Sequence, residues 1–226
     1  MTFCELYILQ KHIEISNETC YNNATDKKGG VSMRELSLPA NEQFLCASKL
    51  KEMGYSYYYI NQMVSQGLLT KINKSTYENM TFKGETSDFS YLSAIAPNAV
   101  VCLMSAARFY NLTTYLPDAV DIAIENSMKI TTLPEWPTYH IYYFSKERYE
   151  TGVTTANDGT TDFRIYDVEK TVVDILGYRN KLGAEITKEV LHSYLGRKDR
   201  NLNKLYRYAK ELGVEPILST YLEVLI

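Results

Sequence analysis

The stretch 42-EQFLCASKLKEMGYSYYYINQMVSQGLLTKINKSTY-77 decides the fold of the first half of this chain. From Glu42 to Met53, the residues Phe44, Leu45, Ala47, Leu50 and Met53 recur at helical spacing. Gly54-Tyr55 breaks the pattern. Ser56 is a suitable N-cap residue, because a short hydroxyl side chain can accept a first-turn N–H. From Tyr57 to Gln66, Ile60, Met63 and Val64 fall on one face and Asn61, Gln62 and Ser65 on the other. Gly67 suits the left-handed residue that ends a helix. Leu68 to Ile72 reads as a strand, Asn73-Lys74 as a tight turn, and Ser75 to Tyr77 as a returning strand. Helix, turn, helix and hairpin in this order predict a winged helix-turn-helix.

Working outward, residues 78–90 (ENMTFKGETSDFS) are polar and read as a linker. The predicted organisation is an extension over 1–32, a winged helix-turn-helix over 33–84 and a mixed α/β domain over 85–226. The class is α+β, with several helices gathered at the end. In the second domain, Tyr91 to Ala96 reads as a helix stopped by Pro97, and Leu103 to Tyr110 as another. Ala119 to Glu125 and Tyr139 to Phe144 read as strands. Asn157-Asp158-Gly159 is a hairpin turn signal between Val153-Thr154 and Phe163 to Tyr166. Asp167 is placed to cap a helix over Val168 to Tyr178. Further helices are expected over Glu185 to Leu195, Arg200 to Leu212 and Pro216 to Leu225.

Two readings stay open for residues 1–32. They are either a true N-terminal arm or an upstream extension of the reading frame. Lys27-Lys28-Gly29-Gly30 can be encoded by AAR-AAR-GGN-GGN, which permits a ribosome-binding sequence just before the Met33 codon.

Composition bounds the function. The 226 residues are 45% hydrophobic and 23% charged, ordinary for a globular chain. No apolar run reaches the roughly 18 to 20 residues of a membrane helix. Met1 to Gln10 has no basic n-region, so no secretory signal is read. Cys4, Cys20, Cys46 and Cys102 form no CxxC pair and fit reduced, buried thiols in a cytoplasm. His12, His140 and His192 are scattered, so neither a metal nor a cofactor is expected. The net charge of −3 divides as −1 over 1–32, 0 over 33–90, −5 over 91–176 and +3 over 177–226.

The chain has no GxGxxG, Walker loop, HExxH or GxSxG. Asp167, Glu169, Lys170 and Asp174 form its most polar cluster. A metal-dependent nuclease would recruit Asp121, Asp167 and Glu169 to hold Mg²⁺, with Lys170 facing the phosphate. The simpler reading is structural: Asp167 caps a helix and Glu169 favours its positive end. DNA binding has the stronger pattern. Ser56, Tyr57, Tyr58, Asn61, Gln62 and Ser65 supply amide and hydroxyl groups that reach base edges or phosphates. Lys71, Asn73 and Lys74 sit in the wing. Lys204, Arg207 and Lys210, spaced by three, are expected to share a basic face that contacts DNA or an acidic partner.

The residues Met53-Gly54-Tyr55-Ser56, Ile60, Val64, Gly67-Leu68-Leu69 and Tyr77 resemble the winged helix of the AbiEi antitoxin family. The segments Ile95 to Ala107 and Phe109 to Thr113 are similar to that family's entry into its C-terminal domain. Ile165-Tyr166-Asp167-Val168-Glu169-Lys170-Thr171-Val172-Val173-Asp174 is similar to its most recognisable motif. Leu205 to Ala209 and Tyr221-Leu222-Glu223 also fit. The resemblance covers about residues 42–226. It implies a non-enzymatic antitoxin of a bacterial type IV toxin–antitoxin system, linked to abortive phage infection. Such a protein represses its own operon by binding inverted repeats in promoter DNA. Its C-terminal domain counteracts a nucleotidyltransferase-like toxin. It is expected as a monomer with two copies per operator. The chain departs from the family in the wing, where Lys74-Ser75-Thr76-Tyr77 replaces an Arg-Gly. It also departs in the second helix, which lacks the family's arginines. A pure protein-interaction module remains a third reading.

Overall fold

The computed structural model describes residues 37–130, 133 and 136–225. The segment 1–32, with both readings of its origin, lies outside them. The described residues divide into two compact units, one ending at Asp88 and the other starting at Phe89. The described residues are mixed α and β, with ten helices and two sheets.

The first unit runs β1 (Phe44–Cys46), α1 (Ala47–Glu52), α2 (Tyr57–Ser65), β2 (Leu69–Lys71) and β3 (Thr76–Asn79). The strands form one antiparallel sheet in the order β1-β3-β2. Its core is Leu45, Leu50, Tyr55, Ile60, Met63, Leu69 and Tyr77. Gly67 has φ +70, and a Cβ there would meet nothing within 4 Å. Its backbone angle, not crowding, therefore favours glycine. The buried Asn79 side chain donates to the Pro39 and Glu42 carbonyls at 2.8 and 2.9 Å, tying the end of β3 to the segment just before β1.

One expectation fails here. Glu42 to Met53 is not a single helix, because Phe44, Leu45 and Cys46 pair with Glu78, Tyr77 and Thr76. A short apolar run suits a buried strand as well as a helix, and the distant β3 supplies the ladder. The sheet thus has three strands where the sequence predicts a two-stranded hairpin.

The second unit opens within α3 (Asp88–Ile95). There follow β4 (Val100–Val101), α4 (Leu103–Phe109), β5 (Val120–Glu125) and β6 (Tyr139–Phe144). Then come α5 (Lys146–Glu150), β7 (Val153–Asn157) and β8 (Asp162–Tyr166). Five helices finish it: α6 (Val168–Gly177), α7 (Arg179–Leu182), α8 (Ala184–Gly196), α9 (Leu202–Glu211) and α10 (Glu215–Leu225). The sheet order is β6-β5-β4-β8-β7. Pairs β5–β6 and β4–β8 are parallel, while β4–β5 and β7–β8 are antiparallel.

Alternate strand residues face opposite layers, as the pleat requires. Val101, Ile122, Ile124, Phe163 and Ile165 pack with Leu92 of α3 and with Ala96 just after it. Val100, Ala123, Phe144 and Tyr166 pack with the C-terminal helices through Val172, Val173, Leu191, Leu205 and Leu218. The helices α5 and α7 escape sequence reading because four or five residues are too few to show a period. The β7–β8 connection is longer than a two-residue turn and is closed by Asp158 Oδ1, which accepts from the Thr160 and Thr161 N–H groups at 3.0 Å. Cys102 is a buried thiol as expected, but Cys46 is exposed.

Candidate nucleic-acid interface

Helix α2 stands on Ile60 and Met63, both fully buried. A 100° step per residue then turns Tyr57, Asn61 and Ser65 to the opposite side. Tyr57 and Tyr58 are 57% and 73% exposed, the exposed large hydrophobic side chains among the described residues of this unit. Asn61 is exposed and Gln62 half-buried. The Ser65 hydroxyl donates to the Gln62 carbonyl at 2.8 Å, so only part of its hydrogen-bonding capacity remains. Ser56 occupies the N-cap position, yet its side chain makes no capping bond. The Lys51 ammonium of α1 lies 4.0 Å from the Tyr57 ring centroid. Lys51 also holds the Tyr57 hydroxyl below its ordinary pKa, first by hydrogen bonding and then by charge.

Lys71 and Lys74 are exposed on the β2–β3 hairpin. Asn73 differs from its expected role. Its Oδ1 accepts from the N–H groups of Ser75 and Thr76, both at 2.9 Å, and so builds the turn from within.

The C-terminal basic face does not form as the spacing suggested. Residues three apart drift by about 60° per step, so Lys204 and Lys210 diverge by about 120°. Lys204 turns to the start of α6, 3.1 Å from Asp167 Oδ2 and 3.2 Å from Glu169 Oε2. Arg207 remains exposed, with its guanidinium 5.2 Å from the Tyr208 ring centroid and its Nε 3.9 Å from Glu211.

The acidic cluster is likewise committed internally. Asp167 caps α6, its Oδ1 accepting from the Lys170 N–H at 2.9 Å. Glu169 Oε1 accepts from the Tyr194 hydroxyl at 3.2 Å and the Asn201 N–H at 3.1 Å. Lys170 and Asp174, both fully buried, pair one turn apart on α6. Arg148 of α5 adds its Nε to Asp174 Oδ1 at 3.0 Å. Burial lowers the Lys170 pKa, while Asp174 opposes that shift. The Lys170 ammonium also sits 4.1 Å from the Tyr166 ring centroid.

Asp121 does different work. Its Oδ2 accepts from the Met104 N–H at 3.0 Å, and its own N–H donates to the Ser105 hydroxyl at 2.8 Å. A residue of β5 thereby caps α4, where Leu103 takes the left-handed φ of 43° that branched side chains resist. Burial pushes the Asp121 carboxyl up, against hydrogen bonds from Met104 and His140. The four groups of the nuclease reading thus divide among three tasks: a helix cap, a Lys204 clamp and a buried pair. Among the described residues, no group of three or more His, Cys, Asp and Glu side chains is placed to hold a metal ion.

Sequence reading missed Arg148, Glu189, Tyr194 and Tyr208 as polar partners. Glu189 accepts from the Thr114 N–H at 2.8 Å and from the Thr113 and Thr114 hydroxyls at 3.1 and 3.0 Å. No local pattern marks such a contact. No described helix is long and apolar enough to cross a membrane.

No protein-family model matches the chain, and no curated protein matches it. Among solved structures it is similar to the crystal structure of the RV2827C protein from Mycobacterium tuberculosis. The identity is 13% over 80% of this chain and 76% of that one, with a TM-score of 0.45.

Proposed function

We propose that this chain is a cytoplasmic, non-enzymatic antitoxin that also represses its own operon, in the manner of the AbiEi family it resembles. The first unit is read as a winged helix-turn-helix: α1 and α2 are the helix pair, and the β2–β3 hairpin is the wing. The observation that carries this reading is the outward face of α2. Tyr57, Tyr58 and Asn61 stand exposed on it, with Lys71 and Lys74 on the adjoining hairpin. Helix α2 enters the major groove, the hairpin lysines contact phosphates, and two copies occupy an inverted repeat. The second unit counteracts a nucleotidyltransferase-like toxin.

The test is a gel shift with the DNA upstream of its own gene, across a salt series and against a scrambled duplex. Specific, salt-sensitive shifts in two steps are expected. Equal binding to both duplexes would remove the repressor reading. The antitoxin reading is tested separately, by rescue of cells expressing a nucleotidyltransferase-like neighbour gene.

One observation favours a second reading, a protein-interaction module without DNA binding. The described first unit has only Lys49, Lys51, Lys71, Lys74 and Lys83 against Glu42, Glu52, Glu78, Glu85 and Asp88. Phosphate neutralisation supplies most non-specific DNA affinity, and this unit has little to offer. Toxin neutralisation without any shift of the upstream DNA is the result expected of that reading.

A further inference from the structure

Residues 54–70 contain no charged side chain, although α2 and its exposed face lie within them. A helix that binds DNA normally mixes readers with cations. Here the cations stand on either side of it. Lys51 precedes α2 and lies over the Tyr57 ring at 4.0 Å. Lys71 and Lys74 follow it in the hairpin. Lys49 is spent on Glu42. Reading and charge neutralisation are therefore assigned to different residues.

That division limits which base pairs α2 can recognise. Guanine presents two acceptors, O6 and N7, and is read best by the two donors of arginine or by lysine. Helix α2 has neither. Cytosine presents the N4 donor, for which a carboxylate is the usual acceptor, and α2 has none. Adenine presents one donor and one acceptor, which an amide side chain matches bidentately. Asn61 is exposed and Gln62 half-exposed for this. Thymine presents a methyl group, and Tyr58, 73% exposed, offers apolar ring surface to it.

We infer that the half-site read by α2 is built of A·T pairs, with Asn61 on adenine and the Tyr58 ring against thymine. This rests on the DNA-binding reading above. The few flanking lysines add a second consequence. With Lys51, Lys71 and Lys74 on phosphates, the salt slope is about −3 per bound copy. Low affinity per copy then makes the paired arrangement necessary for occupancy.

The experiment is selection from a random duplex library by the full chain at low salt, repeated with Asn61→Arg and Asn61→Ala. The expected motif is two half-sites dominated by A·T, with about 5- to 150-fold discrimination at the pair facing Asn61. Asn61→Arg should move that single position towards G·C. A motif rich in G·C that neither substitution alters would overturn the inference while leaving DNA binding intact. Salt-sensitive binding with no enriched motif would also overturn it. Failure of the parent chain to bind any duplex would instead sink the DNA-binding reading, and this inference with it.

Discussion

Lys170 and Asp174, one turn apart on α6, form an ion pair from which solvent is fully excluded. Arg148 supplies a second cation to the same carboxylate at 2.8 Å. The cluster therefore holds two cations around one anion, against the rings of Phe144 and Tyr166.

This asymmetry makes a stability prediction. Asp174→Asn leaves two cations together, one of them fully buried, and should cost about 3–5 kcal/mol. Lys170→Met keeps the Arg148–Asp174 pair and fills the space, so it should cost clearly less. Urea unfolding of the full chain measures both. Equal losses would show that the carboxylate is not the centre of the cluster.

Lys204 and Arg207 should separate just as cleanly. Lys204→Glu sets a third carboxylate against Asp167 and Glu169, and should cost about 2 kcal/mol of stability from lost charged contacts. Arg207→Glu, on an exposed face, should stay within about 0.5 kcal/mol. Thermal unfolding of the two variants decides this. An unchanged Lys204→Glu transition would mean that the ammonium does not clamp the start of α6.

On DNA, Asn61→Ala should cost about 1–3 kcal/mol on the specific site and relax its specificity. Lys71→Ala should weaken all sequences alike and reduce the salt slope by about 1. Titrations of one specific and one scrambled duplex at several salt concentrations give both numbers. Neither residue is buried, so the fold should be unaffected. If Asn61→Ala binds as the parent does, α2 is not the reading element.

Glu189 gives a pH dependence. The Thr114 N–H, followed by the Thr114 and Thr113 hydroxyls, holds its carboxyl below the ordinary 4.5. The folded pKa is therefore depressed. The stabilisation is fully present above pH 4.5 and is lost as the pH falls through the lower folded value. The Thr114 amide resonance should titrate with a midpoint below 4.5, and Glu189→Gln should abolish that titration. The carboxylate is only partly buried, so solvent screens it and the effect stays small. A Thr114 resonance that ignores pH would remove the contact.

Local chemistry was legible in the sequence. The apolar spacing of Ile60 and Met63, the left-handed Gly67 and the Asp167 cap each act within a few residues, and each lies where that spacing placed it. The exposed Tyr57, Tyr58 and Asn61 follow from the same periodicity, since burying one face of a helix exposes the other. What the spacing could not supply was decided by chain segments far apart. Phe44–Cys46 became a strand because β3 arrives beside it. Asp121 caps α4 from β5, 17 positions from Met104. Glu189 holds Thr114 across 75 positions. Lys204 turned from an expected surface charge into a clamp because the packing of α9 on α6 brings two carboxylates within its reach. A periodic pattern specifies which side of an element is buried; only tertiary packing specifies what it is buried against, and so which charges are spent inside the fold.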